Sequence, residues 1–316
     1  MKRILIVAAS CALLVSAASA QEFGPWSAPV NLGSTINSAA NDMHPSLSKD
    51  GLSLYFSSDR LGASSGRDLW VSQRDSPDSP WQPPQNLTML NTPYEDHAPY
   101  LIANGHWLFF YSVRPGGCNA GRQELWASHR QNKRDDFGWE PPINLGCAIN
   151  TAGADDGAPN YWEDDATGIG YLYFARNYTP SDQNGFNIYV STCTAGVNSC
   201  IEQESWSEPA IVAELNSPGF RNTKTAIRFR DGLEMIVTSN GPGTIGARDL
   251  WVTTRATAED AWQPLVNLTE INSMSDDGAA ALSWDGQTIV FYSGRSGGFG
   301  KNDLYMSTRQ KLHGGQ

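Results

Sequence analysis

The amino-acid sequence predicts an all-β fold, a five-bladed β-propeller closed by its own N-terminal strand. Three observations support this prediction. Each repeat contains short apolar segments separated by Gly, Pro, Asp and Asn, with no long helical periodicity. A Trp-led outer-strand segment stands before the first complete repeat and is missing after the last. A Leu or Ile followed by an aromatic residue recurs at intervals of 54 to 63 residues, which indicates stacked or circular units, at Leu69-Trp70, Leu125-Trp126, Ile188-Tyr189, Leu250-Trp251 and Leu304-Tyr305.

Each repeat provides four strand candidates, and the first complete repeat is typical. Asp50-Gly51 is a turn signal between its first two candidates, and a Gly/Ser loop follows the second. The third candidate alternates, with Leu69 and Val71 on one face and Trp70 on the other. Four short antiparallel strands per repeat form one blade of a propeller. In order, the candidates are residues 44–48, 52–58, 68–74 and 81–88.

The two ends of the chain complement each other. Residues 26–32 form an orphan fourth strand, and residues 303–309 form a third strand with no fourth strand after it. Pairing the two would complete the last blade, tie down both termini and remove open sheet edges. Five blades therefore account for the five Trp residues that begin outer-strand segments, which are Trp26, Trp81, Trp139, Trp206 and Trp262.

The first twenty residues are typical of a secretory signal peptide. Lys2 and Arg3 precede an apolar stretch over residues 4–15, and small residues lead to a cleavage site after Ala20. Cys11 leaves a lipoprotein cleavage site as a weaker alternative. We expect residues 21–316 to form one domain that is periplasmic or secreted, since no other segment is apolar enough to span a membrane.

Charge narrows the partners that the sequence predicts. The formal net charge is −11, whereas nucleic acids and anionic membranes attract clustered Lys and Arg. We therefore expect no nucleic-acid partner and no membrane span. The expected state is a monomer with a protein or carbohydrate ligand.

Four cysteines follow the predicted signal peptide, and an even number in an oxidising compartment indicates two disulfides. Cys118–Cys147 and Cys193–Cys200 are the preferred pairs, although the sequence leaves other pairings open. Zinc is the rival interpretation, but the spacings typical of zinc sites do not occur.

Three segments of the first complete repeat resemble a known family. Residues 48–51 (Ser-Lys-Asp-Gly), residues 55–60 (Tyr-Phe-Ser-Ser-Asp-Arg) and residues 68–70 (Asp-Leu-Trp) are similar to the WD40-like PD40 repeat. That repeat is known from the propeller of the periplasmic protein TolB and from other exported bacterial propellers. The resemblance implies an exported, non-catalytic binding module. TolB has an additional N-terminal domain and six blades, so the resemblance does not imply the role of TolB itself.

Blades three and four depart from the repeat. Blade three has Ala175-Arg176 where Ser-x-Arg is expected, and blade four has Ser239-Asn240 there. Blade four also replaces the expected Asp-x-x-Pro by residues 222–225 (Asn-Thr-Lys-Thr). In a repeat protein, functional residues usually lie in the repeats that depart from the common pattern. We therefore predict that blade four faces the ligand, through Arg221, Asn222 and Lys224.

The repeated Asp and Arg residues are predicted to meet on one face of the ring. The Asp-x-x-Pro position precedes each inner strand, and the Ser-x-Arg position lies between second and third strands. We interpret the Asp residues mainly as caps or ion-pair partners that hold the repeat together. These positions hold Asp42, Asp96, Asp156, Asn222 and Asp277, and Arg60, Arg114, Arg176 and Arg295. Further polar candidates on this face are His44, Glu95, His97, Asp155 and Asp276.

Two sharper hypotheses use the same residues. If the protein is an enzyme, we expect a glycoside hydrolase, because two carboxylates flanking a glycosidic bond are what that reaction needs. Glu95 would be the acid, and the base and its neighbour would come from Asp42, Asp96, Asp156 and Asp277. Alternatively, the carboxylates bind Ca²⁺, which takes six to eight oxygen ligands. Lys224 opposes a cation, so we expect no cofactor.

The eleven tryptophans mostly occupy repeat positions and are predicted to pack between blades. Trp107, Trp162 and Trp284 do not. Trp162 and Trp284 lie near inner-strand turns, on the face opposite the repeated Asp residues, and could stack on a ligand. The favoured function from sequence is thus a binding module, with a carbohydrate-active hydrolase as the alternative.

Overall fold

A computed structural model describes residues 23–312, apart from residues 64–65, 120 and 180. The predicted signal peptide therefore lies outside the described residues. The described chain forms five four-stranded antiparallel sheets, which confirms the five-bladed β-propeller. No helix in this part of the chain has the length and apolar character needed to cross a bilayer.

The first three complete blades follow one another along the chain. Blade one contains β2 (Asp42–Leu47), β3 (Ser53–Ser58), β4 (Asp68–Gln73) and β5 (Gln85–Asn86). Blade two contains β6 (Asp96–Leu101), β7 (Trp107–Ser112), β8 (Glu124–His129) and β9 (Ile143–Asn144). Blade three contains β10 (Asp155–Glu163), β11 (Gly170–Asn177), β12 (Asn187–Cys193) and β13 (Ala210–Ile211).

The last two blades complete the ring. Blade four contains β14 (Asn222–Ile227), β15 (Glu234–Ser239), β16 (Asp249–Thr254) and β17 (Val266–Asn267). Blade five contains β18 (Asp277–Leu282), β19 (Thr288–Ser293), β20 (Asp303–Thr308) and the N-terminal strand β1 (Val30–Asn31). The described helices are short, at Gln183–Gly185, Val197–Glu202 and Ala213–Leu215.

The predicted closure by the N-terminus is confirmed. Strand β1 pairs antiparallel with β20, with Val30 opposite Met306. The Asn31 side chain donates to Asp303 at 2.9 Å, and Asn37 donates to the Leu304 carbonyl at 3.0 Å. Each end of the chain thus satisfies polar groups of the other.

The outer strands are shorter than the sequence predicts. Only two residues of each outer segment join the ladder. One or both of the two residues before each outer strand are Pro, as at Pro83 and Pro84 in blade one, and Pro lacks the N–H that pairing needs. The tryptophans that begin these segments serve packing instead. Arg74 lies 4.3 Å from the Trp81 ring, and Arg309 lies 4.3 Å from the Trp26 ring.

Two disulfides reinforce the middle of the ring, and both preferred pairings are confirmed. Cys118, in the loop between β7 and β8, joins Cys147 in the connection from blade two to blade three. Cys193, at the end of β12, joins Cys200 in the short helix that follows. Crosslinks of this kind stabilise a chain by restricting its unfolded state.

Candidate functional site

All five inner strands begin on the same face of the ring, which we call the mouth. The backbone N–H that begins the inner-strand repeat donates to a carbonyl of the preceding blade in every case. Asp42 makes this bond to Asn302 at 2.8 Å, so the same contact joins blade five to blade one. These bonds bring the predicted Asp positions together around the axis.

The repeated carboxylates are fully engaged in architecture. Asp42 has no exposed surface, and its Oδ1 accepts from Arg60 at 2.5 Å and from Ser58 at 2.6 Å. Its Oδ2 accepts from the backbone and side chain of Ser38. Arg60 in turn donates to the Ile36 carbonyl at 2.6 Å. One ion pair therefore connects the outer-strand loop, the inner strand and the second strand.

Three more blades repeat this ion pair. The pairs are Asp96–Arg114 at 2.5 Å, Asp156–Arg176 at 2.6 Å and Asp277–Arg295 at 2.8 Å. All three carboxylates are buried. Burial raises the pKa of Asp156 to about 6 despite its arginine. None of these three, nor Asp42, presents a carboxylate to a ligand.

Blade four replaces the ion pair by neutral groups. Asn222 accepts from the Ser239 hydroxyl at 2.7 Å and donates to the carbonyls of Ser217 and Phe220. Its side chain is buried, so the predicted ligand contact is instead part of the blade's architecture. The broken repeat thus preserves the connection without a charge.

A second ring of contacts lies above the ion pairs. The residue before the repeated Asp of each inner strand, or before Asn222 in blade four, meets the residue before the third strand of the preceding blade, so the contacts join neighbouring blades. This position varies from blade to blade, and the five contacts are Asn41–Asn302, Glu95–Arg67, Asp155–Gln123, Arg221–Phe186 and Asp276–Arg248.

Four of these five contacts contribute residues to the lining of a cavity of about 290 Å³ at the mouth, which we call the mouth pocket. Arg67, Arg221 and Arg248 line it, together with Glu95. Glu95 accepts from Arg67 at 2.7 Å, and Arg248 is bonded through two nitrogens to Asp276, which lies just outside the lining. Arginines thus outnumber acids three to one in the lining of the pocket.

Two histidines lie deeper in the mouth pocket. His44 and His97 have ring centroids 4.2 Å apart in an edge-to-face contact. His97 Nδ1 is 2.5 Å from the Tyr111 hydroxyl, and Nδ1 of His44 and Nε2 of His97 are buried without a hydrogen-bond partner. Burial lowers the pKa of both rings well below the usual value, and nearby cationic groups lower it further. Both rings are therefore neutral near pH 7.

Lys224 lies below the pocket rather than in its lining. The side chain is 2% exposed, and Nζ donates to the Pro159 carbonyl at 2.8 Å. The ammonium lies 5.1 Å from the Tyr100 ring. Burial lowers the pKa of Lys224 to about 7. The structure therefore brings Lys224 near the site that blade four was predicted to form, but beneath the lining of the pocket.

The shape of the pocket follows from one irregularity of the inner strands. The ladder shifts register near the start of each inner strand. In four blades the residue two after the repeated Asp has a positive φ, namely His44, Ala98, Ala158 and Ala279. Three of these side chains are methyl groups, which leaves space around the axis. Blade four has Lys224 at this position, without the positive φ.

Sequence reasoning missed several lining residues. Arg67, Arg248 and Tyr111 were not among the candidates, although they line the pocket or support it. The signal that would have found them is position: Arg67 and Arg248 each precede a repeated third-strand Asp. Among the described residues, no group of three or more His, Cys, Asp and Glu side chains is arranged to hold a metal ion.

Comparison with known proteins identifies the fold and no family. No family model and no curated protein matches the chain. An α-L-arabinofuranosidase from Lactobacillus brevis is similar in structure, with TM-score 0.57 and 14% identity, over 87% of this chain and 92% of that chain. A GH43_1 enzyme from Xanthomonas citri, solved with xylose, has TM-score 0.55 and 15% identity, over 89% of each chain. At such identities the similarity establishes the fold alone.

TolB from Acinetobacter baumannii is also similar in structure. The TM-score is 0.47 at 13% identity, over 87% of this chain and 56% of that chain. A similarity at this level carries no argument about the chain. The assignment to the PD40 repeat therefore stays a prediction.

Proposed function

We propose that this protein is an exported, non-catalytic binding propeller of the PD40 type. Its mouth pocket would hold the negatively charged end of a small ligand, such as the carboxylate of a uronic acid. The observation that carries this proposal is the lining of the pocket, which contains three arginines and one glutamate, with Arg67 paired to Glu95 and Arg248 paired to Asp276. Arginine binds carboxylates through paired, charge-assisted hydrogen bonds.

The remaining polar groups suit a ligand of this class. His44 and His97 line the pocket, and each has a buried nitrogen without a hydrogen-bond partner that would bond to a hydroxyl group reaching it. Both rings are neutral near pH 7, so each carries one donor and one acceptor nitrogen. A cavity of about 290 Å³ has room for one sugar-sized group.

An exported location is part of the proposal. The two disulfides are typical of proteins that mature in an oxidising compartment. The predicted signal peptide with cleavage after Ala20 agrees with this location.

A glycoside hydrolase is the second candidate, and two observations favour it. Two of the proteins similar in structure are named as an arabinofuranosidase and a GH43_1 enzyme. Glu95 lines the mouth pocket and is 30% exposed, so one carboxylate is available there as an acid. The names of similar structures favour hydrolysis, whereas the ion-paired state of the repeated aspartates favours binding.

A binding and hydrolysis screen separates the two candidates. Purified protein is titrated calorimetrically with glucuronate, galacturonate and their oligomers, and with the matching neutral sugars, while released sugars are quantified. We expect uronates to bind, Arg221→Gln to weaken binding about tenfold or more, and no sugar to be released. The matched control is Arg134→Gln, which removes an exposed arginine on a loop outside the pocket. Sugar release that Glu95→Gln abolishes would establish the hydrolase instead.

A further inference from the structure

The opposite face of the propeller carries a second opening, which we call the base cleft. It has a volume of about 190 Å³. Every blade contributes to it from the end of its inner strand or the turn that follows, through Lys49, Asn104, Glu163, Phe229 and Trp284. The site described above uses none of these residues.

Stacked aromatic rings form the wall between the base cleft and the mouth pocket. Trp284 stacks on Phe229 at 6.1 Å with an interplanar angle of 19°. Phe229 stacks on Tyr100 at 6.0 Å and 26°, and the ammonium of Lys224 lies beyond Tyr100. Trp162 fixes the column by donating from its indole N–H to the Phe229 carbonyl at 3.0 Å. This column of rings closes the inner end of the base cleft, and we call it the aromatic floor.

Both hydrogen-bond donors and acceptors surround this floor. Lys49 and Asn104 supply donors, and the carboxylates of Glu163 and Asp165 supply acceptors, and all four residues are exposed. Glu163 is oriented by the Tyr161 hydroxyl, which donates to it at 2.8 Å. The Lys49 ammonium lies 3.5 Å from the centre of the Trp284 ring. The cleft thus combines an apolar surface with polar groups of both kinds.

We propose that the base cleft binds a neutral saccharide. A pyranose ring has an apolar C–H face that packs on an aromatic ring, and hydroxyl groups that both donate and accept. In the base cleft this face would replace the Lys49 ammonium over the Trp284 ring, and the displaced ammonium would donate to a hydroxyl group. A cationic ligand would be repelled by the Lys49 ammonium, and an anionic ligand would be repelled by the carboxylates of Glu163 and Asp165. The mixed rim therefore matches uncharged hydroxyl groups better than either ion.

The two openings then differ in the ligands that they select. The aromatic column and Lys224 separate them, so a neutral saccharide in the base cleft does not compete with an anion in the mouth pocket. The inference rests on the base cleft alone. It would stand even if the mouth pocket did not bind uronates.

The test is a titration of the full mature chain with neutral xylo-, gluco- and galacto-oligosaccharides of three to six units. Binding is followed by calorimetry and by tryptophan fluorescence. We expect at least one series to bind and to change the fluorescence, and Trp284→Ala to weaken that binding about tenfold or more. Asn104→Ala, which keeps the aromatic floor, should weaken it by a smaller factor.

Two control variants complete the test. Phe299→Ala removes an exposed aromatic ring in another loop, and Arg221→Gln changes the mouth pocket, so both should bind the neutral saccharide like the parent protein. Circular dichroism confirms that each variant is folded. The proposal is overturned if no neutral series binds at millimolar concentration, or if folded Trp284→Ala binds as tightly as Phe299→Ala. Binding of choline or free lysine with no saccharide binding also overturns it.

Discussion

Blade four and the other four blades connect the inner strand to the second strand through different side-chain groups. In blades one, two, three and five a buried Asp–Arg ion pair connects the inner strand to the second strand. In blade four Asn222 makes that connection through Ser239 and two backbone carbonyls. The four charged blades therefore carry their carboxylates as architecture, and a carboxylate in a repeated position is poor evidence of catalysis.

The same comparison explains where the positive charge of the mouth comes from. Blade four has Arg221 before its inner strand, packed 4.9 Å from the Phe186 ring, where blades two and five have Glu95 and Asp276. Below it, Lys224 replaces a small or aromatic side chain at the axis. The break in the repeat thus changes the charge of the pocket while the fold is unchanged.

The largest expected effect is the loss of one repeated ion pair. We expect Asp96→Ala to destabilise the protein by about 3–5 kcal/mol, because it leaves the mostly buried Arg114 without its carboxylate. Asn222→Ala removes neutral hydrogen bonds and should cost about 1–3 kcal/mol. Both values come from chemical denaturation followed by circular dichroism. Equal losses in the two variants would contradict the distinction between charged and neutral blades.

Restoring the repeat residue in blade four should damage the protein. Asn222→Asp places a buried carboxylate against the carbonyls of Ser217 and Phe220, which accept hydrogen bonds and donate none. We expect a loss of about 3 kcal/mol at pH 7. The new carboxyl would have a raised pKa, so its penalty should shrink as the pH falls and the group becomes protonated. A variant as stable as the parent at pH 7 would show that blade four accepts the charge of its neighbours.

The sequence predicted the propeller, its five blades and its closure because the repeat encodes them directly. Turn residues, Trp positions and the displaced segment at residues 26–32 are visible without a structure. The engagement of the repeated aspartates was also the favoured interpretation. The structure shows its extent, since Asp42 accepts four hydrogen bonds.

The mouth pocket could be predicted only in part. His44, His97, Glu95 and Arg221 were candidates and do line it. Arg67 was missed because it lies outside the repeated Asp-x-x-Pro and Ser-x-Arg positions, and its contact with Glu95 joins it to the next blade. Such contacts depend on the angle between blades, which a repeat pattern does not specify. The depth of Lys224 depends on a local difference in backbone conformation, which is equally invisible in the sequence.

Lys224 should make the stability of the protein depend on pH. The alanines at the equivalent position of blades two, three and five cannot do so because they do not titrate. Its pKa is lowered to about 7 in the folded protein, whereas an unfolded lysine titrates near its ordinary value of 10.5. Between these values the unfolded chain binds the additional proton, so stability should rise with pH, by up to about 1.4 kcal/mol per unit. We expect Lys224→Met to remove this slope between pH 7 and 9.5 and to be more stable than the parent at pH 7. Denaturation at several pH values measures both, and parallel curves for parent and variant would refute a lowered pKa of Lys224.

The smallest effect on stability, and the sharpest on function, should come from Glu95. Glu95 and Arg67 are 30% and 36% exposed, so solvent screens their ion pair, and Glu95→Gln should change stability by less than about 1 kcal/mol. The variant removes the one carboxylate that lines the mouth pocket. Uronate binding should therefore become tighter, by about tenfold or less, and the gain should fall as salt is added.

Calorimetric titration at two ionic strengths measures this change in uronate binding, with Asp155→Asn as a control at the equivalent inter-blade position. Weaker binding in Glu95→Gln would mean that this carboxylate contacts the ligand directly, as the catalytic acid of a hydrolase does. Glu95 would then differ in chemistry as well as in position from the repeated aspartates, whose carboxylates bind groups of the protein itself.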